Sequence, residues 1–448
     1  MNFIKKTISN WGNYPKTSVN IANAHYTQDV TQALESFPHL IAHGNGRSYG
    51  DAGLGPQVLN TTTFNKILDF DPKTGLITCQ SGILLSDLLT VCVPHGFFVP
   101  VTPGTKFVTL GGAVAADIHG KNHHTDGCLS NFIQEITLVI SKTNTITCSQ
   151  ATNPDLFWAT CGGMGLTGIM TTITLQLKSI QTSYINQESI KAKNLKEVMN
   201  FFNQSQEWTY SVAWIDCLAK GKHLGRSILM RGEHAPLDTL NAYQSHYSLE
   251  PHSHQAISIP FFAPCFLLNR YSVRAFNAIY FNKQQQPLRK TTLHYNSFFY
   301  PLDSLLHWNR LYGKKGFIQY QCLFPLQQSK QGLHEVLTLL GQEQQGSFLA
   351  VLKLFGEANP NQILSFPQKG YTLTLDFKVN SGLKELCQKL DQIVLKYGGR
   401  LYLAKDTLMH ATMFAQTYPN KERFLEILKQ WNCGSFDSLQ AERLGLKR

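Results

Sequence analysis

The spacing of apolar residues changes in character partway along the chain. Up to about residue 177, short β-rich runs such as Leu40–Ala42 and Ile136–Ile140 alternate with glycine-rich turns and stretches of small residues. After Lys178, glycine becomes less frequent and longer segments begin, among them Leu195–Phe202, whose apolar residues share one helical face. This change predicts a second domain that begins near residue 179.

Another helical stripe lies near the end of the sequence. Apolar residues recur at helical spacing from Leu383 to Tyr397, and a pair of glycines then ends the pattern. The strand-like run Arg400–Ala404 follows, and Lys405 and Asp406 come directly after it. Loops that follow regular elements often carry functional side chains, so this pair is a candidate for a site.

Length and composition favour a large globular enzyme. The chain has 448 residues, of which 43% are apolar and 15% charged, enough for two or more domains around a large core. The first residues lack the apolar run of a secretory signal, so we expect a mature start. The most apolar window, Ile257–Leu268, contains two prolines and is too short to cross a bilayer, so no transmembrane helix is expected.

The cysteines and the net charge bear on the cellular location and on the kind of partner. The ten cysteines form no CxxC pair and no metal-ligand rhythm, which predicts reduced, structural thiols and a cytoplasmic location. A formal net charge of +11 suits an anionic partner, although a merely basic surface explains it equally well. No nucleic-acid-binding motif accompanies the charge, so we expect no nucleic-acid partner.

The first of three glycine-rich motifs is His43–Asp51, which follows a short apolar strand. Its glycines allow backbone N–H groups to converge into a concave anion site that could hold a pyrophosphate. The spacing is not that of the dinucleotide GxGxxG motif, and taken alone an ordinary turn explains it equally well.

The second motif combines Pro103–Thr105 with Thr109–His124. Gly111 and Gly112, followed by small residues, suit a helix that begins close to a phosphate or a ring system. The motif also contains three histidines, but no carboxylate or cysteine stands at metal-ligand spacing, so no metal site is predicted. A structural histidine is the alternative at each position.

The third motif, Asn153–Ile169, again allows close backbone approach, although a packing turn is an equal explanation. The order and spacing of the three motifs resemble the FAD-binding domain, of the PCMH type, of the vanillyl-alcohol oxidase superfamily. Within that superfamily, the HGKNHH run and the GRSYGD loop are similar to the decaprenylphosphoryl-β-D-ribose 2′-oxidase family. The similarity continues through segments such as Phe298–Asp303, Gly316–Gln321 and Tyr402–Asp406, and so covers nearly the whole chain.

The resemblance implies an α+β, two-domain fold: an FAD-binding domain over residues 1–178, an antiparallel-sheet substrate domain over 179–396, and a C-terminal segment, 397–448, that returns to the FAD-binding domain. It implies catalytic roles for Tyr49, His119 and Lys405, and substrate contacts from Gln319, Gln321, Lys353 and Lys405. The residues that it implies for FAD binding are Ala42, His43, Gly44, Asn45, Gly46, Arg47, Ser48, Tyr49, Gly50, Asp51, Ala52, Gly104, Thr109, Leu110, Gly111, Gly112, His119, Gly120, Lys121, Asn122, His123, His124, Gly127, Cys128, Leu129, Ile169 and Tyr402.

The implied activity is FAD-dependent oxidation of the 2′-hydroxyl of a polyprenyl-phosphoryl ribose to a 2′-keto sugar. This would be the first step of epimerisation to the arabinose form for cell-envelope glycan synthesis, with an NAD(P)H-dependent keto-reductase as the partner enzyme. A lipid-linked substrate and a basic chain also imply peripheral association with the inner face of the membrane. The alternatives are an alditol or aldonolactone oxidase of the same superfamily and, from another class, a flavin-free binding protein or scaffold.

Individual residues carry further expectations. Several superfamily members attach the flavin through a histidine of the first loop; Arg47 stands at that place, which implies that FAD is bound non-covalently. Lys405 would stabilise negative charge on the reduced flavin, and Lys353 would suit a phosphate contact. The proton acceptor is left open among His119, Tyr320 and Lys405. Thr374 stands where the mycobacterial form has a cysteine, so thiol-directed inhibitors of the family should find no target there.

Overall fold

The computed structural model of the protein describes residues 1–251, 256–264, 266–347 and 349–446. Its strands are β1 Ile4–Ile8, β2 Thr17–Asn23, β3 Ile41–His43, β4 Gln57–Asn60, β5 Ile67–Asp71, β6 Leu76–Gln80, β7 Phe97–Phe98, β8 Ile133–Ser141, β9 Asn144–Cys148, β10 Ile169–Gln176, β11 Lys178–Ser179, β12 Tyr184–Ala192, β13 Tyr210–Ile215, β14 Ser227–His234, β15 Ile257–Ser258, β16 Leu288–His294, β17 Leu305–Leu306, β18 Phe317–Pro325, β19 Val351–Phe355, β20 Gly370–Lys378 and β21 Arg400–Leu401.

The α-helices of the described ranges are α1 Thr27–Ser36, α2 Leu85–Cys92, α3 Leu110–Ala115, α4 His123–Asp126, α5 Pro154–Thr160, α6 Leu195–Asn203, α7 Ala242–His246, α8 Arg270–Lys283, α9 Tyr295–Phe299, α10 Ser329–Glu343, α11 Leu383–Lys396, α12 Ala411–Thr417, α13 Lys421–Gln430 and α14 Leu439–Leu444. Short 3-10 helices span Val93–His95, Leu129–Phe132, Gly221–His223, Leu237–Thr239, Pro301–Ser304 and Trp308–Tyr312.

The N-terminal part of the chain, from β1 to β10, forms two sheets with helices against them. One sheet has the order β1-β2-β4-β3, in which β4 pairs in parallel with both β2 and β3. The other is antiparallel, with the order β5-β6-β10-β8-β9. The first glycine-rich loop leaves the end of β3, and the second leads into α3, so both loops are held at the ends of buried elements.

The chain from β12 to β21 contributes one eight-stranded antiparallel sheet, with the order β16-β12-β14-β13-β19-β20-β18-β21. One face of this sheet is covered by α6, α10 and α11. Alternation along β18 separates the two faces: the Tyr320 hydroxyl bonds to Asp391 of α11, whereas Gln319 and Gln321 point away from the helices. The second face is therefore free to form the wall of a site.

The C-terminal segment packs against the first glycine-rich loop. Leu40 forms a parallel bridge with Phe436, and the Leu439 N–H donates to the Leu54 carbonyl oxygen at 2.8 Å. Arg443 donates to Asp51 Oδ1 at 2.6 Å and to Asp406 Oδ2 at 2.9 Å. These contacts tie the loop after β3 to the turn that carries Lys405.

Several predicted elements are confirmed, with small changes in their bounds. The Leu195–Phe202 stripe lies in α6, and the later stripe forms α11, which is followed by Gly398 in the left-handed region at φ 63°. The predicted strand Arg400–Ala404 is wrong beyond its second residue. The chain turns there because the Lys405 N–H donates back to the Tyr402 carbonyl oxygen at 2.9 Å.

Candidate functional site

A cavity of about 730 Å³ lies between the glycine-rich loops and the open face of the large sheet. The first loop, the second loop and the turn at Lys405 form one side of it, and strands β13, β14, β18, β19 and β20 form the other. Its size falls within the usual range for cofactor and ligand sites. The three sequence motifs and the predicted substrate residues thus meet at one place.

The first loop presents its backbone to this cavity. Gly46 has a φ of +59°, a left-handed conformation that glycine adopts without steric cost. Among the residues that the structure describes, none accepts a hydrogen bond from the backbone N–H groups of residues 44 to 48. Consecutive unpaired N–H donors in such a turn form a concave site for anionic oxygens.

The two glycine-rich loops touch because one residue has no side chain. A Cβ built on Gly44 would lie 2.3 Å from Thr109 Oγ1, so no other residue fits there without a shift. Thr109 is also the N-cap of α3, and its side chain accepts a hydrogen bond from the Gly112 N–H at 3.2 Å. The small residues of both motifs therefore bring the loops into contact.

A buried aspartate holds the rest of the second loop. Asp117 accepts hydrogen bonds from the Ser130 N–H at 3.0 Å and from Gln362 Nε2 at 2.8 Å. This network joins the loop to the segment before β20, and it fixes the backbone two residues before His119.

His119 lies in the cavity wall between aromatic rings. Its ring centroid is 4.7 Å from that of Phe355 and 5.3 Å from that of Tyr402, and its Nε2 is 3.0 Å from Gln321 Nε2. Burial lowers its pKa well below the usual value, and the nearby charge of Lys353 lowers it further, so the ring is neutral at pH 7. Its Nδ1 is buried, with no hydrogen-bond partner among the described residues.

Lys405 enters the cavity beside Tyr49. Its Nζ lies 4.1 Å from the centroid of the Tyr49 ring, and the Tyr49 N–H donates to the Ala404 carbonyl oxygen at 3.2 Å. Burial lowers the pKa of Lys405 to about 7; the negative charge of Asp376 opposes this effect, and the positive charge of Lys353 adds to it. Burial likewise lowers the pKa of Lys353 to about 8.

Asp376 is a carboxylate that sequence reasoning missed. It lies opposite Gln319 in the sheet, where it accepts hydrogen bonds from Gln319 Nε2 at 2.7 Å and from the Tyr312 hydroxyl at 3.0 Å. Burial raises its pKa to about 7, against the effect of these bonds and of Lys405. The alternation of Thr372, Thr374 and Asp376 along β20 was the available signal, because it places all three on one face.

The cavity brings together most of the predicted site residues. Those that line it are Ala42, His43, Gly44, Asn45, Gly46, Arg47, Ser48, Tyr49, Ala52, Gly104, Thr109, Gly111, Gly112, His119, Lys121, Gln319, Gln321, Lys353, Tyr402 and Lys405. Those that do not line it are Gly50, Asp51, Leu110, Gly120, Asn122, His123, His124, Gly127, Cys128, Leu129 and Ile169.

Three residues of the second group make close contacts with other parts of the chain near the cavity. Gly50 packs so closely on the Asp406 carbonyl oxygen that a Cβ would lie 1.9 Å from it. His124 Nε2 is 2.7 Å from the Trp208 carbonyl oxygen, and the His123 ring packs 4.5 Å from that of Phe355. Within the described ranges, no group of three histidine, cysteine or acidic side chains is arranged to hold a metal ion.

The choice of Tyr320 as a possible proton acceptor is wrong. Its hydroxyl donates to Asp391 Oδ1 at 2.8 Å on the helix-covered face of β18, and it does not reach the cavity. Period-two alternation puts it on the opposite side from its neighbours Gln319 and Gln321. His119 and Lys405 remain the candidates.

Aromatic and apolar side chains that the motifs did not indicate complete the cavity. Arg47 stacks 4.1 Å above the ring of Trp11, which comes from the start of the chain. At the far end, Trp214 of β13 packs 4.7 Å from Tyr280 of α8, next to Met230. These residues are far apart in sequence, so no local pattern could have grouped them.

Known proteins share the sequence of the glycine-rich loops and of nearly the whole chain. The FAD binding domain family matches residues 22–149, which include the first two glycine-rich loops. The decaprenylphosphoryl-β-D-ribose oxidase of Mycolicibacterium smegmatis is 35% identical over 98% of both chains. The chain belongs to the decaprenylphosphoryl-β-D-ribose oxidase family. It is an FAD-dependent oxidoreductase with the α+β fold of the vanillyl-alcohol oxidase superfamily, as the sequence predicted.

Other relatives of the family match less of the chain. An uncharacterised protein of Streptomyces coelicolor is 31% identical over 81% of this chain and 100% of its own length. The L-gulonolactone oxidase of Mus musculus is 31% identical over only 25% of each chain. Sugar-lactone oxidases are therefore distant relatives that share part of the sequence.

The residues present fit FAD. The unpaired N–H groups of residues 44 to 48 suit its pyrophosphate, and the glycine contact between the two loops leaves the cavity open beside them. The unpartnered Nδ1 of His119 adds a polar atom that faces no protein acceptor or donor among the described residues.

Proposed function

We propose that this protein oxidises the 2′-hydroxyl of a polyprenyl-phosphoryl ribose to the 2′-keto sugar. FAD, when bound, accepts the two electrons that leave the sugar carbon. The observation that carries the proposal is the meeting of the glycine-rich loops with Gln319, Gln321, Lys353 and Lys405 around one cavity. Similarity over the full length to an oxidase named for this substrate supports it.

Five polar side chains of the cavity have roles in the proposed reaction. Gln321, held by the Thr372 hydroxyl at 3.2 Å, and Gln319, held by Asp376, orient the sugar hydroxyls. His119 is neutral, so it can accept the hydroxyl proton, a task that Lys405 could perform only in its uncharged form. The ammonium of Lys405 stabilises the negative charge that the reaction leaves in the site, and Lys353 binds the phosphate of the substrate.

The substrate assignment is tested by anaerobic reduction of the bound flavin. A polyprenyl-phosphoryl ribose should bleach the absorbance of the purified holoenzyme, whereas an alditol and an aldonolactone should not. Bleaching by the lactone alone would favour the alternative oxidase, and a purified protein without flavin absorbance would contradict both.

We also propose that FAD is bound without a covalent link. Arg47 stands at the position of the linking histidine, and its guanidinium stacks on Trp11. Arginine cannot form the histidyl bond. Acid precipitation should therefore release all of the flavin into the supernatant, and flavin retained in the protein pellet would contradict the proposal.

The product defines a partner reaction. A 2′-keto sugar becomes the arabinose form only if a hydride is added to the opposite face, so we propose an NAD(P)H-dependent keto-reductase as the next enzyme, in a route to cell-envelope glycans. Adding such a reductase and NAD(P)H to the oxidase should convert the ribose substrate into the arabinose epimer, detected by mass spectrometry after hydrolysis and chromatography.

Peripheral association with the cytoplasmic face of the membrane is a further part of the proposal, because the substrate is held in lipid. Among the described residues, no helix combines the length and apolar character needed to cross a bilayer. Fractionation should find the protein with membranes at low salt and partly released at high salt. Recovery in the supernatant under both conditions would contradict this association.

A further inference from the structure

Exposed apolar side chains are concentrated in one part of the surface. Of the large apolar residues exposed in the described ranges, eight of eighteen come from the short stretch between positions 257 and 279. The two most exposed, Phe266 and Ile257, have 73% and 71% of their surface open to solvent. Soluble proteins rarely expose many large apolar side chains in one region of the surface unless that region binds a partner. The eight are Ile257, Phe261, Phe262, Phe266, Leu267, Tyr271, Phe276 and Ile279.

The same part of the chain has an unusual charge pattern. No aspartate or glutamate occurs from residue 251 to residue 302, whereas Arg270, Arg274, Lys283 and Arg289 are exposed there. Within the described ranges, these four cations form no salt bridge with a carboxylate. The surface therefore combines apolar side chains with uncompensated positive charge.

This surface is continuous with the cavity. Ring contacts lead outward from Trp214 in the cavity wall to Tyr280 at 4.7 Å, and from Tyr280 to the exposed Phe276 at 5.9 Å. On the other side, Ile257 pairs in register with Leu305, which lines the cavity. The apolar end of the site thus opens toward the exposed apolar residues.

We propose that these eight exposed apolar residues, with the cations of α8, form a docking face for an anionic lipid bilayer, and that the polyprenyl chain enters the cavity between α8 and β17. The proposal rests on the proposed lipid-linked substrate and names the surface that reaches it. Aromatic and aliphatic side chains insert at the lipid boundary, while arginine and lysine bind anionic headgroups. A second copy of the chain is a poorer occupant, because it would bring two uncompensated cationic surfaces together.

Vesicle co-sedimentation of the FAD-loaded protein tests the face. We expect binding to vesicles that mix phosphatidylcholine with anionic phosphatidylglycerol, and a loss of affinity of 10-fold or more in the triple variant Phe261→Ser, Phe266→Ser, Ile279→Ser. The matched control Ile4→Ser, Leu68→Ser, Leu326→Ser removes three exposed apolar residues elsewhere and should stay within 2-fold of the parent.

A second pair of variants tests whether the cations of α8 contribute to vesicle binding. Arg270→Gln with Arg274→Gln should weaken binding to the phosphatidylglycerol vesicles and reduce its salt dependence, whereas Lys5→Gln with Lys6→Gln, on the exposed strand β1, should do neither. Equal losses in the two pairs would mean that net charge, and not this face, drives binding, and would overturn the proposal.

Activity separates a failure of this face from a failure of the proposed function. With a short-chain farnesyl-phosphoryl ribose in solution, the apolar triple variant should reduce its flavin as fast as the parent, which also shows that it is folded. With a long-chain substrate embedded in vesicles, its rate should fall 10-fold or more. If the parent fails with both substrates in detergent, the substrate assignment is wrong whatever the vesicle result.

Besides equal losses in the two charge pairs, three vesicle results overturn the docking face: a parent protein that does not bind the anionic vesicles, a triple variant that binds them as the parent does, or a control triple that loses as much. Light scattering adds a further test. A dimer in solution that the Phe261→Ser, Phe266→Ser, Ile279→Ser variant dissociates would assign the surface to a second copy of the chain.

Discussion

One buried aspartate lies on each face of the large sheet: Asp376, in β20, on the cavity face, and Asp391, in α11, on the helix-covered face. On the cavity face, Asp376 accepts hydrogen bonds from Gln319 and lies near Lys405; on the helix face, Asp391 accepts one from Tyr320. Burial raises the pKa of each to about 7. A shifted pKa therefore does not show which face of the sheet carries the reaction. The neighbouring side chains show it, because of these two aspartates only Asp376 has a lysine of the cavity beside it.

The largest expected effect is that of Lys405→Ala on the cavity side. The ammonium of Lys405 stabilises the negative charge that develops in the site, so its removal should slow flavin reduction 10²-fold or more. This corresponds to an increase of roughly 2.7 kcal/mol in the activation free energy. Flavin content and thermal unfolding should change little. Stopped-flow absorbance under anaerobic conditions measures the rate, and a rate near that of the parent would remove Lys405 from the mechanism.

Asp376→Asn should have the next largest effect, about 10-fold on the same rate, because it loosens Gln319 and removes the negative charge that favours protonated Lys405. If protonated Lys405 is required, the parent rate falls as pH rises through about 7, where the lysine loses its proton. In Asp376→Asn that fall should begin at lower pH. Asp391→Asn is the matched control and should keep the rate and pH profile of the parent; equal effects in both variants would abolish the distinction between the faces.

On the helix-covered face, Asp391 should affect how the free energy of unfolding depends on pH. Its pKa is raised from 3.8 to about 7 in the folded state, so its contribution to stability is full below the unfolded pKa, falls as the pH rises between the two pKa values, and is lost above about 7. Between pH 6 and pH 8 this loss is about 1 kcal/mol. Denaturant unfolding of Asp391→Asn should show a pH dependence smaller by that amount. An unchanged slope would show that Asp391 is already ionised at pH 6.

Among the substitutions in the cavity wall, Thr374→Cys should change turnover least, because it keeps a small side chain on the cavity face opposite Gln321. The rate should stay within 2-fold, but a maleimide should now label the protein and block flavin reduction. Cys322, on β18, is fully buried, and burial raises its pKa to about 12, so it should not react. Mass spectrometry locates the label; stoichiometric labelling of the parent in the cavity would contradict this contrast.

Local pattern predicted much of the fold. The helical stripes in α6 and α11 and the apolar runs in β3 and β8 were found because each is continuous in the sequence. The predicted strand after α11 was too long, because the turn at residues 403–405 depends on a hydrogen bond that apolar periodicity does not reveal. Element boundaries that are set by turns need the tertiary structure.

The site was predictable where its residues form contiguous motifs. The glycine-rich loops, the two glutamines and the two lysines came from segments that resemble a known family. Asp376 was missed because its role comes from Gln319, 57 positions away, and Tyr320 was misassigned because the orientation of β18 was unknown. Of the apolar surface, only the window Ile257–Leu268 was noticed, as a segment too short to cross a membrane, because apolar periodicity does not show which side chains are exposed.

The bond from Arg443 to Asp51 spans 392 positions and has a consequence for biosynthesis. A ribosome makes the first glycine-rich loop early, but the arginine that anchors Asp51 and Asp406 emerges hundreds of residues later. At elongation rates of about 5–20 residues per second, the loop waits roughly 20–80 seconds for its partner. The anchor of the first glycine-rich loop is thus one of the last contacts to form in the nascent polypeptide.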